Sequence, residues 1–212
     1  MAAEQGKQPK PLKGFTHIKR YWDKTHGQYA AKILPGEFYV TTHDEMIVTV
    51  LGSCISACVR DKVFGIGGMN HFMLPMGDNQ APKDPASKWS SEATRYGNFA
   101  MEALINEVLK NGGRRENLEF KVFGGGRILE STTDVGDKNI QFVRDFIRTE
   151  GLKLIAEDLG DIYPRKVHYF PVTGKVKMKK LRALHNNTVV EREKRYIDSL
   201  QSAPIAGEID LF

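Results

Sequence analysis

The spacing of hydrophobic residues changes along the chain. From Glu37 onward, short runs rich in Val, Ile, Phe and Thr succeed one another: EFYVTT, MIVTVLG, CISACVRD and FGIGGMNHFML. Turn residues bound each run, which is the pattern of strands. The period then lengthens. In YGNFAMEALINEVLKNGG, residues Phe99, Met101, Ala103, Leu104, Val108 and Leu109 recur largely three or four apart, before Gly112 and Gly113. That predicts an amphipathic helix with a glycine stop. LEFKVFGGG predicts a strand running into a glycine turn. KNIQFVRDFIRTEG predicts a second helix, with Ile140, Val143, Phe146 and Ile147 on one face and Gly151 as its stop. LKLIAEDLG and RKVHYFPVTGKVKM predict further strands, the latter turning at Thr173-Gly174. The order points to an α/β sandwich, with helices packed on a mixed, largely antiparallel sheet.

The flanks differ from this body, taken as residues 29–178. Residues 1–28 are polar and basic, and predict a poorly ordered arm whose aromatic later part docks on the body. Residues 179–212 form a charged segment, predicting an exposed helix from Lys179 to Gln201 and then a tail. Residues 76–95, MGDNQAPKDPASKWSSEATR, read as a long polar loop, a length often tied to function.

Composition narrows the class. With 31 Lys+Arg against 26 Asp+Glu, the formal charge of +5 is too small and too dispersed to argue for nucleic acid. No run is long and apolar enough to insert in a bilayer, and the N-terminus has no apolar signal core. Two cysteines in 212 residues do not make a disulfide framework. The expected compartment is the reducing cytoplasm.

Both cysteines and His71 fall within LGSCISACVRDKVFGIGGMNHFMLP. Cys54 and Cys58 form a single C-x₃-C pair, short of the four ligands of structural zinc, so no metal site is expected. On a strand, residues four apart lie about 13 Å from each other, beyond disulfide reach. A hairpin centred between Lys62 and Val63 places Cys54 opposite His71, and Cys58 opposite Gly67. Opposed side chains share a face, close enough for a thiol–imidazole contact. A base beside a thiol makes a nucleophile. Gly52 and Ser53 keep the approach to Cys54 small, and Gly67-Gly68 clear the partner strand. The bland alternative is that Cys54 and His71 are core residues. Cys58, without a histidine, reads as core.

VLGSCISACVRD, GIGGMNHFMLP, RYGNFAMEALINEVLKNGGRRENLEFKVFGGG and DVGDKNIQFVRDFIRTEGLKLIAEDLGDIYPRKVHYFPVTGKV resemble the CheD family of chemoreceptor glutamine deamidases, over about Lys32 to Val176. The resemblance implies a three-layer α/β sandwich similar to glutamine-deamidating toxins. It implies a cysteine hydrolase acting on chemoreceptor cytoplasmic helices, with no metal or organic cofactor. Carried across, the nucleophile falls on Cys54, the base on His71 and a third catalytic residue on Thr49, a position that strand packing alone also explains. Backbone N–H groups at Gly52 and Ser53 would hold the oxyanion. A CheC-type phosphatase is a further partner the resemblance implies. Other readings are a transglutaminase-like or esterase activity, and a binding regulator of such a phosphatase.

Overall fold

A computed structural model of the chain describes residues 6–75, 92–128, 135–182 and 187–202. Among these residues the strands form two five-stranded mixed sheets. The first has the order β1 (Lys19–Asp23), β2 (Gln28–Lys32), β4 (Met46–Leu51), β9 (Arg165–Phe170), β10 (Lys175–Lys180). Only β2 and β4 run parallel in it. The second has the order β3 (Phe38–Thr41), β6 (Gly67–Asn70), β5 (Ile55–Asp61), β7 (Leu118–Gly124), β8 (Leu154–Leu159). There only β7 and β8 run parallel. Helix α1 (Glu92–Lys110) lies against β3, β5 and β6, and α2 (Val135–Thr149) against β5 and α1. The mixed, largely antiparallel character is as expected, but the strands divide into two sheets where one was predicted.

The division has a local cause. β4 ends at Leu51 in the first sheet, and β5 begins at Ile55 in the second. The chain crosses between sheets in the three residues Gly52, Ser53 and Cys54. β5 is buried nearly throughout, the polar Ser56 and Asp61 included. It is tied to β6 and α1 by a side chain: the Ala57 amide donates to the Asn70 side chain, which donates in turn to the Ala100 carbonyl of α1.

The β5–β6 hairpin is two residues out of the expected register. Cys58 pairs with Met69 rather than Gly67, and Ile55 bridges Phe72. Cys54 therefore does not lie directly opposite His71. The turn sets this offset. The Asp61 carboxylate accepts the amides of Val63 and Phe64, and the Asp61 amide donates to the Ile66 carbonyl, so the turn is centred one residue later than Lys62-Val63. Side chains on a strand alternate with a period of two, so an offset of two residues keeps the parity expected for Cys54 and His71.

Parts of both flanks are built into the fold. Lys19–Asp23, read as part of the arm, forms β1. Phe15 and Ile18 are buried, and the Phe15 ring packs edge-on against Phe38 and Tyr39, each at 5.2 Å between centroids. Burying one such side chain stabilises the fold by about 1.5–3 kcal/mol. At the other end, Lys179 and Lys180 belong to β10, and helix α3 spans Asn187–Ser202. It is not simply exposed. Glu193 and Ile197 are buried and Arg192 and Tyr196 half-buried, a stripe at helical spacing that faces the protein. Residues 92–95 of the predicted loop belong to α1, and 76–91 lie outside the described residues.

Candidate active site

The crossing residues Gly52, Ser53 and Cys54 have no ladder partners, so their peptide groups must be satisfied otherwise. Their carbonyls all point one way. Gly126 N donates to Gly52 O at 2.7 Å, Asn139 Nδ2 to Ser53 O at 2.9 Å and Gly125 N to Cys54 O at 2.8 Å. The FGGG run, expected only as a turn, is thus a clamp on the crossing. Gly124 is required for the approach: its φ is 122°, and a Cβ there would fall 2.0 Å from Cys54 O. Asn139, wholly buried on α2, also accepts the Leu74 amide at 2.9 Å and so ties the crossing to the end of the His71 segment. Neither contribution was legible beforehand, although an asparagine on the apolar face of α2 was a visible exception to its pattern.

With the carbonyls held, the three amides converge on the other side. Gly52 N donates to Glu193 Oε1 at 2.9 Å, Ser53 N to Oε2 at 3.0 Å and Cys54 N to Oε1 at 3.4 Å. The Ser53 hydroxyl adds a fourth donor to Oε2 at 2.6 Å. Consecutive amides aimed at one point form an anion-binding nest. Gly52 leaves the room for it, since a Cβ would lie 2.7 Å from Glu193 Oε1 and 2.0 Å from Ile128 Cδ1. Glu193 was not anticipated. In the sequence it stands in EREKRY, where it reads as one more solvated acid.

His71 is oriented from the other sheet. The Thr49 hydroxyl, on β4, donates to the Ile33 carbonyl at 2.9 Å and lies 2.7 Å from His71 Nδ1. Because its proton is committed to Ile33, the hydroxyl accepts from Nδ1–H, which makes Nε2 the basic nitrogen. Nε2 is buried and has no hydrogen-bond partner among the described residues. Burial, and secondarily the charge of Arg192, push the imidazole down to about 3, so it is neutral near pH 7. The Cys54 thiol is pushed well up, first by burial and then by the adjacent Glu193 carboxylate. Cys58, with Lys121 its only favourable charge, is also pushed up by burial.

All five residues expected at the site, Thr49, Gly52, Ser53, Cys54 and His71, are thus buried around the sheet crossing. The described residues thus bring a thiol, a hydroxyl–imidazole pair and an amide nest to the sheet crossing of an α/β protein. The chain belongs to the CheD family. The model of that family, described as CheD chemotactic sensory transduction, matches residues 73–180, beginning just past His71. Whole-length relatives extend the match across the site. The chain is 58% identical to a probable chemoreceptor glutamine deamidase CheD of Halorhodospira halophila, over 96% of this chain and 94% of the relative. It is 57% identical to the protein of the same description from Methylobacillus flagellatus, over 91% and 94%. With that from Hahella chejuensis the identity is 51% over 100% of this chain and 99% of the relative.

Proposed function

We propose that this chain is a cytoplasmic protein-glutamine deamidase, converting side-chain amides of chemoreceptor glutamines to carboxylates, with Cys54 as nucleophile and His71 as base. The observation that carries the reading is the Thr49–His71 hydrogen bond. It leaves a neutral imidazole whose acceptor nitrogen is buried and has no partner among the described residues. The family relationship supplies the substrate class. The same reading takes the two sheets and the helices as the three layers of a fold like that of glutamine-deamidating toxins.

The chemistry follows from the groups at hand. His71 Nε2 takes the thiol proton, and Sγ attacks the amide carbon. Charge then collects on the former carbonyl oxygen, where the amides of Gly52, Ser53 and Cys54 can stabilise it as preorganised donors. The imidazolium gives its proton to the leaving nitrogen, and ammonia departs from the thioester. Water, deprotonated by the same imidazole, cleaves the thioester and releases a glutamate side chain. Thr49 holds the ring in the tautomer these transfers need.

The test is mass spectrometry of receptor cytoplasmic fragments incubated with the protein. Defined glutamines should become glutamates with the wild-type chain and remain glutamines with Cys54→Ala. Equal conversion by the two proteins would remove Cys54 from the reaction.

A further inference from the structure

A deamidase that acts on folded helices must present its thiol to a macromolecule, yet Cys54 is 0% exposed. Its cover includes α3. Beyond Glu193, the neighbouring Arg192 donates to the Val50 carbonyl at the end of β4. One turn later the Tyr196 hydroxyl bonds to that of Tyr96 on α1, and its ring lies within 3.5 Å of where a Cβ on Gly36 would stand. Ile197 is buried beside it. One helix thus presents a glutamate at the nest and lays its following turn on the body.

The chemistry of the occupant is specific. Glu193 carries a side-chain carboxylate, which is the group a glutamine side chain becomes when its amide is hydrolysed. It uses the amides assigned above to the oxyanion. A carboxylate costs several kcal/mol to bury without compensation. Here four donors offset that cost. A structural latch would have no reason to choose these donors or to seal the thiol.

We propose that α3 is a tethered stand-in for the substrate helix: Glu193 holds the position of the product carboxylate, the free chain is closed on itself, and a receptor helix must displace α3 to reach Cys54. The proposal rests on the deamidase reading and extends it to how substrate is presented. The groove takes a helix carrying the reacting side chain with an apolar or aromatic residue three and four positions later, as Tyr196 and Ile197 stand to Glu193. A tethered competitor acts at an effective concentration on the order of millimolar, so a receptor must bind well to open the site. Two charges of α3 also quiet the pair: Glu193 disfavours the thiolate and Arg192 disfavours the imidazolium. Arg192 partly favours the thiolate as well, but it ranks below the two Glu193 effects at Cys54.

The experiment uses the full chain and iodoacetamide, with peptide mapping of Cys54 against Cys58. Cys58 is buried in the sheet and reports general unfolding, so the readout is the ratio of the two labelling rates. Glu193→Ala removes the carboxylate. Tyr196→Ala loosens α3 and leaves that carboxylate in place. Both should raise the Cys54:Cys58 ratio at least tenfold, and both should lower KM for receptor fragments. An unchanged ratio in both variants overturns the proposal. A rise in Glu193→Ala alone overturns it too, because it would assign the protection to one charge and not to the helix. If both ratios rise and no variant deamidates receptor fragments, α3 is the plug and the receptor reading fails.

Discussion

Thr49 accepts a hydrogen bond from His71 at 2.7 Å while its own proton is held by the Ile33 carbonyl, so a residue of one sheet dictates the tautomer of a residue on the other. Thr49→Val keeps the shape and removes both bonds. It should lower kcat by about a hundredfold, within the usual range for general acid–base catalysis, with little change in KM. Thr49→Ser should recover most of the loss. Steady-state deamidation of a receptor fragment, with circular dichroism as a check on folding, measures this. A valine variant with full kcat would reduce Thr49 to packing.

His71 makes stability depend on acid. Its folded value of about 3 lies below the ordinary value near 6.5. Above about 6.5 neither state binds the proton, and the group has no effect. As pH falls below that, the unfolded chain gains a proton that the folded chain refuses. Stability then declines by about 1.4 kcal/mol per pH unit until the folded value is reached. Urea unfolding of the wild type and of His71→Gln from pH 7.5 to 4 should show the wild type losing more. Parallel curves would mean that the imidazole titrates freely.

Asn139 should act on turnover through the crossing it clamps. Asn139→Asp keeps an acceptor for the Leu74 amide and loses the donor to Ser53 O. It also places a second carboxylate near the nest. We expect a folded protein with kcat reduced at least tenfold. Asn139→Leu should in addition be destabilised by about 1–3 kcal/mol for each of the two groups it leaves unpaired, the Ser53 carbonyl and the Leu74 amide. Thermal melting and kcat, measured on both variants, separate the two effects. If the aspartate variant is as active as wild type, the clamp does not position the site.

Glu193→Gln offers a substrate in place of a product. The carboxamide oxygen can keep the Gly52 and Cys54 amides, and the Ser53 hydroxyl can turn to accept from the nitrogen, while the Ser53 amide loses its acceptor. Attack by Sγ, loss of ammonia and hydrolysis would regenerate glutamate at 193. Peptide mass spectrometry of the purified variant should find Glu193, whereas a Cys54→Ser, Glu193→Gln double variant should retain glutamine. Glutamine surviving in the single variant would count against α3 as a substrate analogue.

The sequence made some of this legible and hid the rest for physical reasons. The short apolar runs of β3 to β7 and the helical stripes of α1 and α2 depend on local burial, which the sequence records directly. The parity expected of Cys54 and His71 survives because the register offset is two residues, an even number. The offset itself was invisible, since it depends on which amides the Asp61 carboxylate accepts. The split into two sheets was hidden because it turns on remote pairings: β2 joins β4 in parallel, and β9 returns beside β4 from more than a hundred residues away. Glu193 was hidden in a charged run, and only its place between Val189, Val190, Tyr196 and Ile197 hints that it faces inward.

The Asp61–Ile66 turn has a consequence for how this family can vary in length. Adding or removing two residues there would slide β6 along β5 and change which residue stands across from Cys54, but His71 would stay on the same side of the sheet. A single-residue insertion, unless a bulge absorbed it, would send His71 to the helix side and bring Asn70 or Phe72 toward the thiol. Insertions and deletions at this turn should therefore be tolerated in even steps, and an odd one should carry its compensating bulge between the turn and His71.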